Sequence, residues 1–261
     1  MIPPTSFTVA QPASVSRGFG DSEIHVWKAS LNVPDAQLEE FARTLGSNEQ
    51  ERIARLRSEP DRLRATASRG LLRHILGGYA GTPPAELRFT YGPAGKPELL
   101  GAAGRRPLYF NTAHSGDLLL VAVGRARAVG IDVERIRPVP RWEHVGRRVF
   151  SGEEMRRIEA LPGEARDEAF ITCWTRKEAC VKAIGGGVWS AFGRFEVSLE
   201  AGETPQVRSV DGNAAAAADW SLYHLEPASG FVGALAVQGT GWRLRTGTLQ
   251  SLELETGPDP R

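Results

Sequence analysis

The stretch GIDVE, residues 130–134, decides how this chain is interpreted. It has the alternation of a β-strand, in which Asp132 and Glu134 point to one face while Ile131 and Val133 point to the other. Taken alone, an acidic pair of this kind is most often the solvated face of a sheet. Its meaning therefore depends on what the rest of the chain places beside it.

A second stretch, WTRKEACVK at residues 174–182, supplies the partner. It has the pattern of a helix, and a spacing of four residues places Glu178 and Lys182 on the same helical face. Alone, this spacing is that of a common surface ion pair. With the strand, the set contains three carboxylates and one ammonium, and crowded carboxylates repel one another unless protons or a cation lie between them. A hard divalent cation such as Mg²⁺ suits oxygen ligands and commonly accompanies phosphate groups.

The bulk composition is that of an ordinary globular protein. A chain of 261 residues can bury a full core and form one large or two small domains. The formal net charge of +1 gives no global field that favours nucleic acid or a membrane surface. Seven arginines nonetheless lie between residues 52 and 73, where only Glu59 and Asp61 are acidic. This segment is either a solvated helix face or the wall of an anion site, and it lacks the interleaved aromatic residues that stack on bases.

Other sequence features exclude several classes of protein. The N-terminus has no charged region followed by an apolar run, as a secretory signal peptide would, and the apolar run at residues 118–123 is too short to cross a bilayer. Cys173 and Cys180 lie two helical turns apart, too far for a disulfide, and no histidine or third cysteine is near enough to favour a zinc site. We therefore expect buried thiols in a cytoplasmic protein with no membrane or nucleic-acid partner.

Periodicity and turn residues predict an alternation of strands and helices. We predict strands at residues 23–32, 87–91, 118–123, 128–133, 195–199, 220–225 and 232–237. We predict helices at residues 35–45, 48–56, 63–76 and 164–184. The helix over 63–76 is expected to stop at Gly77-Gly78, and the strands at 118–123 and 128–133 are expected to pair as a hairpin.

A weak internal echo suggests a duplicated architecture. Residues 71–78 resemble residues 180–186, and each segment precedes a strand signal that contains Arg-Phe. We therefore predict an α+β fold of two similar halves with a ligand cleft between them. We divide the chain into a flexible extension at residues 1–20, an N-terminal half at 21–125 and a C-terminal half at 126–261 that carries the acidic set.

Further motifs extend the pattern in a fixed order along the chain. They are the arginine-rich helices, GKP at residues 95–97, FNTAHS at 110–115, GIDVE at 130–134, FSGEE at 150–154 and WTRKEACVK at 174–182. In this order and spacing, from about Ile24 to Val237, the chain resembles the 4′-phosphopantetheinyl transferases of the larger, monomeric kind that act on surfactin-type peptide synthetases. The resemblance implies a pseudo-dimer of two α+β halves with coenzyme A between them.

The activity implied by the resemblance is transfer of the 4′-phosphopantetheine arm of coenzyme A to a serine of an acyl or peptidyl carrier protein, with release of adenosine 3′,5′-bisphosphate. Asp132, Glu134 and Glu178 match the ligands of a Mg²⁺ ion, for which Mn²⁺ can substitute. Glu178 and Lys182 match the catalytic residues, and Lys182 also matches the lysine that contacts the pyrophosphate. Glu178 is a candidate both for metal ligand and for the base that takes the serine proton.

The resemblance also implies which residues bind the nucleotide end of the coenzyme. Lys96 and His114 match residues that hold the nucleotide end, and Arg52 and Arg64 are the best matches for those that bind the 3′-phosphate. The chain departs from the family at Ala113, where a serine is common, so a contact at this position can come only from the backbone.

Two other functions remain as alternatives. A non-catalytic binder of coenzyme A or of carrier proteins would keep the basic wall and lose part of the acidic set. A metal-dependent nucleotide hydrolase would use the same carboxylates but would turn over coenzyme A without a carrier.

Overall fold

The computed structural model describes residues 7–9, 12, 19–92, 95–100, 107–186, 191–199 and 202–249. Most of the predicted extension at residues 1–20 lies outside these ranges, and its flexibility stays a prediction.

The first part of the chain forms strands, then helices, then strands. Its strands are β1 (Thr8–Val9), β2 (Glu23–Ser30), β3 (Phe89–Tyr91), β4 (Pro97–Leu99), β5 (Tyr109–Ser115) and β6 (Leu118–Gly124). Its helices are α1 (Asp35–Thr44), α2 (Ser47–Ala54) and α3 (Glu59–Ala80), and a 3-10 turn at Pro84–Glu86 precedes β3.

The second part repeats this order. Its strands are β7 (Val129–Arg135), β8 (Phe195–Val197), β9 (Val207–Val210), β10 (Trp220–Leu225), β11 (Phe231–Gln238) and β12 (Arg243–Thr248). Its helices are α4 (Trp142–Val149), α5 (Gly152–Glu159), α6 (Gly163–Ala183) and the short α7 (Ala214–Ala217), with a 3-10 turn at Phe192–Arg194. Each half is thus a strand, three helices, a short hairpin and two longer strands, which confirms the predicted α+β fold of two similar halves.

The longer strands form two sheets with matching cores. In the first sheet the order is β1-β12-β2-β6-β5, and in the second it is β10-β11-β7. The antiparallel set β2-β6-β5 corresponds to β7-β11-β10. Strand β12 is the exception to the repeat, because it leaves the C-terminal half and pairs parallel with β2 in the first sheet.

The predicted hairpin between residues 118–123 and 128–133 is wrong. Strand β6 is paired on both edges, with β2 and β5, so it has no free edge for β7. Strand β7 pairs instead with β11 and starts the second sheet. The two sheets meet where the Asn111 side-chain oxygen on β5 accepts a hydrogen bond from the Ile131 N–H on β7, at 2.9 Å.

The predicted stop of the helix at Gly77-Gly78 is also wrong. Helix α3 is capped at its start by Ser58, whose hydroxyl accepts from the Asp61 N–H at 3.2 Å. It runs through both glycines to Ala80, and Gly81 follows it in the left-handed conformation. Gly77 has a packing role instead, since a Cβ there would lie 2.8 Å from the carbonyl oxygen of Thr82.

Apolar side chains form a layered core. One cluster lies between α1, α3 and the first sheet, and a second lies between α4–α6 and the second sheet. A third contains Ile24, Val26, Leu120, Ile131 and Leu235, which belong to strands of both sheets. This third cluster joins the two halves and leaves the polar ends of β5 and β7 beside the helices.

Candidate active site

Gly130 allows strand β7 to approach helix α6 closely. A Cβ at this position would lie 2.0 Å from the Ala179 carbonyl oxygen and 2.3 Å from the Ala183 nitrogen. The next residue, Ile131, is buried between the sheets, so Asp132 is directed toward α6, as the alternation of a strand requires. The glycine of the GIDVE stretch thereby places Asp132 beside the carboxylate and ammonium groups of α6.

Three of the predicted catalytic and metal-binding side chains meet at this contact. The Lys182 Nζ lies 2.7 Å from Asp132 Oδ1 and 3.9 Å from Glu178 Oε2, which confirms that Glu178 and Lys182 share a helical face. Glu134 lies at the end of the set, where its Oε2 accepts a hydrogen bond from the Ser115 hydroxyl at 3.0 Å. Asp132 Oδ2 and Glu178 Oε2 are buried and have no hydrogen-bond donor among the described residues.

The acidic set contains more negative charge than Lys182 can balance. Burial raises the pKa of Asp132 to about 7, although Lys182 opposes the rise, and the charges of Glu178 and Glu134 add to it. Burial also raises the pKa of Glu178, again with Lys182 opposing and Glu134 contributing. Asp132 and Glu178 are therefore buried carboxyl groups with raised pKa values, and each has one oxygen without a hydrogen-bond donor among the described residues. A cation bound beside them would stabilise their ionised forms.

Across the described ranges, no group of three or more His, Cys, Asp or Glu side chains is arranged to hold a metal ion. The Lys182 ammonium lies close to two of the carboxylates, at 2.7 Å from Asp132 Oδ1 and 3.9 Å from Glu178 Oε2. The metal-ligand assignment of Asp132, Glu134 and Glu178 therefore stays a prediction.

The acidic set opens into a cleft of about 610 Å³ between the two halves. Its lining residues come from α2 and α3, from Tyr91 on β3, and from β5, β7 and α6. The lining residues are Glu49, Arg52, Ile53, Leu56, Ala65, Ser68, Arg69, Tyr91, Thr112, Ala113, His114, Asp132, Glu134, Glu178 and Lys182. On α2 and on α3 the spacing of these residues is that of a single helical face.

The predicted coenzyme-binding residues divide into two groups. Arg52, His114 and Lys182 line the cleft, and Arg52 stacks on Tyr91 with its guanidinium carbon 4.0 Å from the ring centroid. Arg64 is not among the described lining residues, and its Nε donates to Asp117 Oδ1 at 2.8 Å.

Lys96 has a different set of contacts. Its ammonium donates to the carbonyl oxygens of Lys182 at 2.8 Å and Val129 at 3.3 Å, and burial lowers its pKa. These contacts tie the β3–β4 hairpin to the start of β7 and the end of α6. The role of Lys96 in coenzyme binding stays a prediction.

Sequence reasoning missed Arg69 and Tyr91 as cleft residues. In the sequence, Arg69 is only one of seven arginines. Because a turn separates α2 from α3, helical spacing could not indicate which of these arginines lie on the same side as Arg52. Tyr91 had no signal, because its position depends on how the β3–β4 hairpin packs against α2.

Two residues of the recognised motifs have a packing role. Lys177 Nζ lies 2.6 Å from Glu154 Oε2, and both side chains are almost completely buried. The same Glu154 carboxylate accepts from the backbone N–H of Ser151 at 2.7 Å and of Val197 at 2.9 Å, so it caps α5 and holds β8. Cys173 and Cys180 are buried and free, as predicted, and burial raises the pKa of both thiols.

The N-terminal half contains an equivalent pair. Arg73 Nη2 lies 2.6 Å from Glu49 Oε2, and Glu49 also accepts from the Gly46 N–H at 3.0 Å at the start of α2. The structure therefore matches Glu49 with Glu154 and Arg73 with Lys177. The sequence echo had matched the helix ends differently, with Arg73 opposite Lys182.

Comparison with known proteins gives one family match for each half of the chain. The profile described as "4'-phosphopantetheinyl transferase, N-terminal" matches residues 27–125, and that of the "4'-phosphopantetheinyl transferase superfamily" matches residues 128–236. The chain is 38% identical over 221 residues to 4'-phosphopantetheinyl transferase HetI of Nostoc sp., covering 85% of this chain and 90% of HetI. This chain belongs to the 4'-phosphopantetheinyl transferase superfamily.

Other relatives carry the same description. The chain is 39% identical over 130 residues to 4'-phosphopantetheinyl transferase AcpT of Escherichia coli K12, covering 50% of this chain and 62% of AcpT. It is 28% identical over 192 residues to 4'-phosphopantetheinyl transferase psf-1 of Bacillus pumilus, covering 74% and 79% of the two chains. The resemblance found in the sequence is thus confirmed. No helix within the described ranges is long and apolar enough to span a membrane.

Proposed function

We propose that the cleft binds coenzyme A and that the chain transfers the 4′-phosphopantetheine arm to a serine of an apo acyl or peptidyl carrier protein, releasing adenosine 3′,5′-bisphosphate. The observation that carries this proposal is the cleft itself, in which arginines on α2 and α3 face an acidic set on β7 and α6. Coenzyme A carries about four negative charges on its 3′-phosphate and pyrophosphate, so it needs cations at both ends of such a cleft.

The acidic set fits a divalent cation by its chemistry. Its three carboxylates offer oxygen ligands, and one buried oxygen each on Asp132 and Glu178 has no donor among the described residues. We propose that Asp132, Glu134 and Glu178 hold Mg²⁺, with Mn²⁺ as a substitute. When bound, the ion would neutralise charge on the pyrophosphate, which is the main requirement for displacement at phosphorus.

The protein's own groups supply the other functions. Lys182 lines the cleft within hydrogen-bond distance of Asp132, and its ammonium can stabilise negative charge on the leaving bisphosphate. Glu178 can take the proton of the carrier serine directly or through a bound water while it serves as a metal ligand. Arg52 and His114 line the same cleft, which supports assigning them to the nucleotide end of the coenzyme.

Three parts of this proposal come from the sequence alone. They are the monomeric state, the cytoplasmic location and the coenzyme-binding roles of Arg64 and Lys96, both of which have other partners in the structure. The division of the chain at residues 125 and 126 also stays a proposal; the two family profiles lie on either side of it.

Intact-mass analysis of several apo-carrier proteins, incubated with coenzyme A and Mg²⁺, tests the function. We expect a mass gain of one phosphopantetheine on at least one carrier, and loss of that gain with EDTA. Consumption of coenzyme A without a carrier would favour the hydrolase instead. Tight binding of coenzyme A with no mass gain on any carrier would favour the non-catalytic binder.

A further inference from the structure

Strands β5 and β7 end the two sheets, and side chains of β5 connect them. The Asn111 side-chain oxygen accepts a hydrogen bond from the Ile131 N–H at 2.9 Å. Four residues further along both strands, the Ser115 hydroxyl oxygen accepts from the Arg135 N–H at 3.2 Å. Residues four apart lie on one face of a strand, so one face of β5 binds the backbone of β7 at two points. The N-terminal half thereby fixes the position of β7 along β5.

Ser115 also binds a carboxylate of the acidic set. Its Oγ lies 3.0 Å from Glu134 Oε2. A hydroxyl has one hydrogen to donate and two lone pairs to accept with, whereas an ionised carboxylate only accepts. Because the Arg135 N–H is a donor and occupies one lone pair of Ser115, the hydroxyl hydrogen is directed to Glu134.

The carboxylates of the acidic set are held from different halves of the chain. Asp132 and Glu178 lie 2.7 Å and 3.9 Å from the Lys182 ammonium, on helix α6 of the C-terminal half. Glu134 has no ion pair with any described residue, and its hydrogen-bond donor among them is Ser115, from the N-terminal half. Since a glutamate side chain has several staggered rotamers, this contact selects one of them.

Ser115 itself lies outside the cleft. It is half-buried and is not among the described lining residues, whereas Glu134 is. An effect of Ser115 on transfer must therefore act through Glu134 and not through a contact with the coenzyme.

We propose that Ser115 is a positioning residue, whose hydroxyl holds the Glu134 carboxylate in the orientation that completes the acidic set. The N-terminal half thereby takes part in the site of the C-terminal half. This inference rests on the proposed function, because it concerns one carboxylate of the proposed metal site. Hydrogen bonds to the carboxylates that bind a metal ion commonly set the affinity for that ion.

A double-mutant cycle without metal tests the contact itself. Urea denaturation in EDTA compares the wild type, Ser115→Ala, Glu134→Ala and the double variant. The effects on the unfolding equilibrium constant should deviate from additivity by about fivefold or more, because only the wild type has this charge-assisted hydrogen bond. Loss of the acceptor for the Arg135 N–H occurs with either residue at position 134, so it cancels in the cycle.

The Mg²⁺ dependence of mass gain on a carrier tests the consequence for the site. Ser115→Ala should raise the Mg²⁺ concentration for half-maximal transfer by about tenfold or more. The KM for coenzyme A at saturating Mg²⁺ should stay within about twofold of the wild-type value. Ser115→Thr, which keeps the hydroxyl on a side chain suited to a strand, should restore most of the wild-type Mg²⁺ requirement.

Ser221→Ala is the matched control. The Ser221 hydroxyl is also half-buried, donates to the Gly239 carbonyl oxygen at 2.7 Å, and does not line the cleft. Its loss should leave the Mg²⁺ requirement unchanged. Thermal melts establish that each variant is folded.

The possible failures can be told apart. A serine that only stabilises the strand would lower the stability of Ser115→Ala without changing its Mg²⁺ requirement, and that result would overturn the inference. Additive effects in the cycle would overturn it too, as would a Mg²⁺ requirement of Ser115→Thr equal to that of Ser115→Ala. If the wild type modifies no carrier, the proposed function fails, while the cycle still decides whether Ser115 holds Glu134.

Discussion

The two halves share a scaffold and differ in the charge that they present to the cleft. In both, a glutamate in the first turn of the second helix pairs with a basic residue of the long third helix, as Glu49–Arg73 and as Glu154–Lys177. In the N-terminal half the cleft-facing side chains of the helices include arginines. In the C-terminal half the first strand and the long helix present carboxylates.

This difference separates the positions that stabilise the shared fold from the positions that line the cleft. The glutamate–cation pairs are buried and tie helices to the neighbouring hairpin in both halves: Arg73 donates to the carbonyl oxygen of Leu87 just before β3, while Glu154 accepts from Val197 on β8. The cleft-facing positions have no such duty, so one half could acquire cations there and the other half carboxylates.

The carboxylates of the C-terminal half should show the largest effect. Asp132→Ala and Glu178→Ala should each lower the rate of transfer by at least about a hundredfold, because each removes several kcal/mol of charge stabilisation at the transferred group. The fold should survive, since losing one of three close carboxylates relieves repulsion. The measurement is mass gain on a carrier over time, together with a thermal melt.

Glu143→Ala is the matched control, because Glu143 is an exposed carboxylate on α4 that pairs with Arg147. It should transfer at the wild-type rate. Near-normal turnover by Asp132→Ala or Glu178→Ala at saturating Mg²⁺ would contradict the proposal that these residues bind the metal ion. Rescue by Mn²⁺ would instead indicate weakened metal affinity.

The shared pairs should matter for stability in both halves alike. Lys177→Met and Arg73→Met each leave a buried glutamate without its cation, which costs about 3–5 kcal/mol of the free energy of unfolding. Urea denaturation measures this loss. Arg43→Met, which breaks the exposed Glu39–Arg43 pair, should cause no measurable change. A small loss in only one half would show that the two pairs are not equivalent.

Gly130 tests the contact between strand β7 and helix α6 in the C-terminal half. Gly130→Ala should cost about 3 kcal/mol or more, because its Cβ would collide with backbone atoms of α6 that cannot move independently.

Gly130→Ala should also slow transfer beyond the loss of folded protein, since β7 would carry Asp132 away from Lys182. Gly152→Ala is the control, as a Cβ at Gly152 meets nothing within 4 Å. It should leave stability and rate unchanged. An unaltered transfer rate in folded Gly130→Ala protein would show that Gly130 is not needed to position Asp132 for transfer.

His25 sharpens the comparison from the N-terminal half, with the smallest expected effect. Its Nδ1 lies 2.6 Å from the Tyr79 hydroxyl, which accepts from Trp27 Nε1 at 2.8 Å, and burial lowers the pKa of His25 to about 4, with Glu23 opposing and Arg245 adding to the shift. Since the ordinary value is 6.5, the unfolded chain binds more protons between pH 6.5 and pH 4. The free energy of unfolding therefore decreases as the pH falls through this window.

The expected contribution is about 2 kcal/mol between pH 7 and pH 5. Urea denaturation of the wild type and of His25→Gln at both pH values isolates it, because the constant cost of the substitution cancels in the difference. Equal pH dependence of the two proteins would contradict the prediction.

Local rules predicted those elements whose signals are local. The alternation around Asp132 and the helical spacing of Glu178 and Lys182 both depend on a few neighbouring residues, and the structure confirms them. The order of the motifs along the chain was likewise enough to identify the family. Errors arose where a distant partner competes with the local signal, as for β6, whose edges are taken by β2 and β5.

The sequence by itself determined the residue types of the site, their faces on strand and helix, and the duplicated α+β plan. Only the tertiary structure decided which arginines face the cleft, that Lys177 and Arg73 are buried partners of glutamates, and that β12 returns to the first sheet beside β2. The physical reason is range. Periodicity and capping act within a few turns, whereas burial, ion pairing and strand order depend on contacts between segments that lie far apart along the chain.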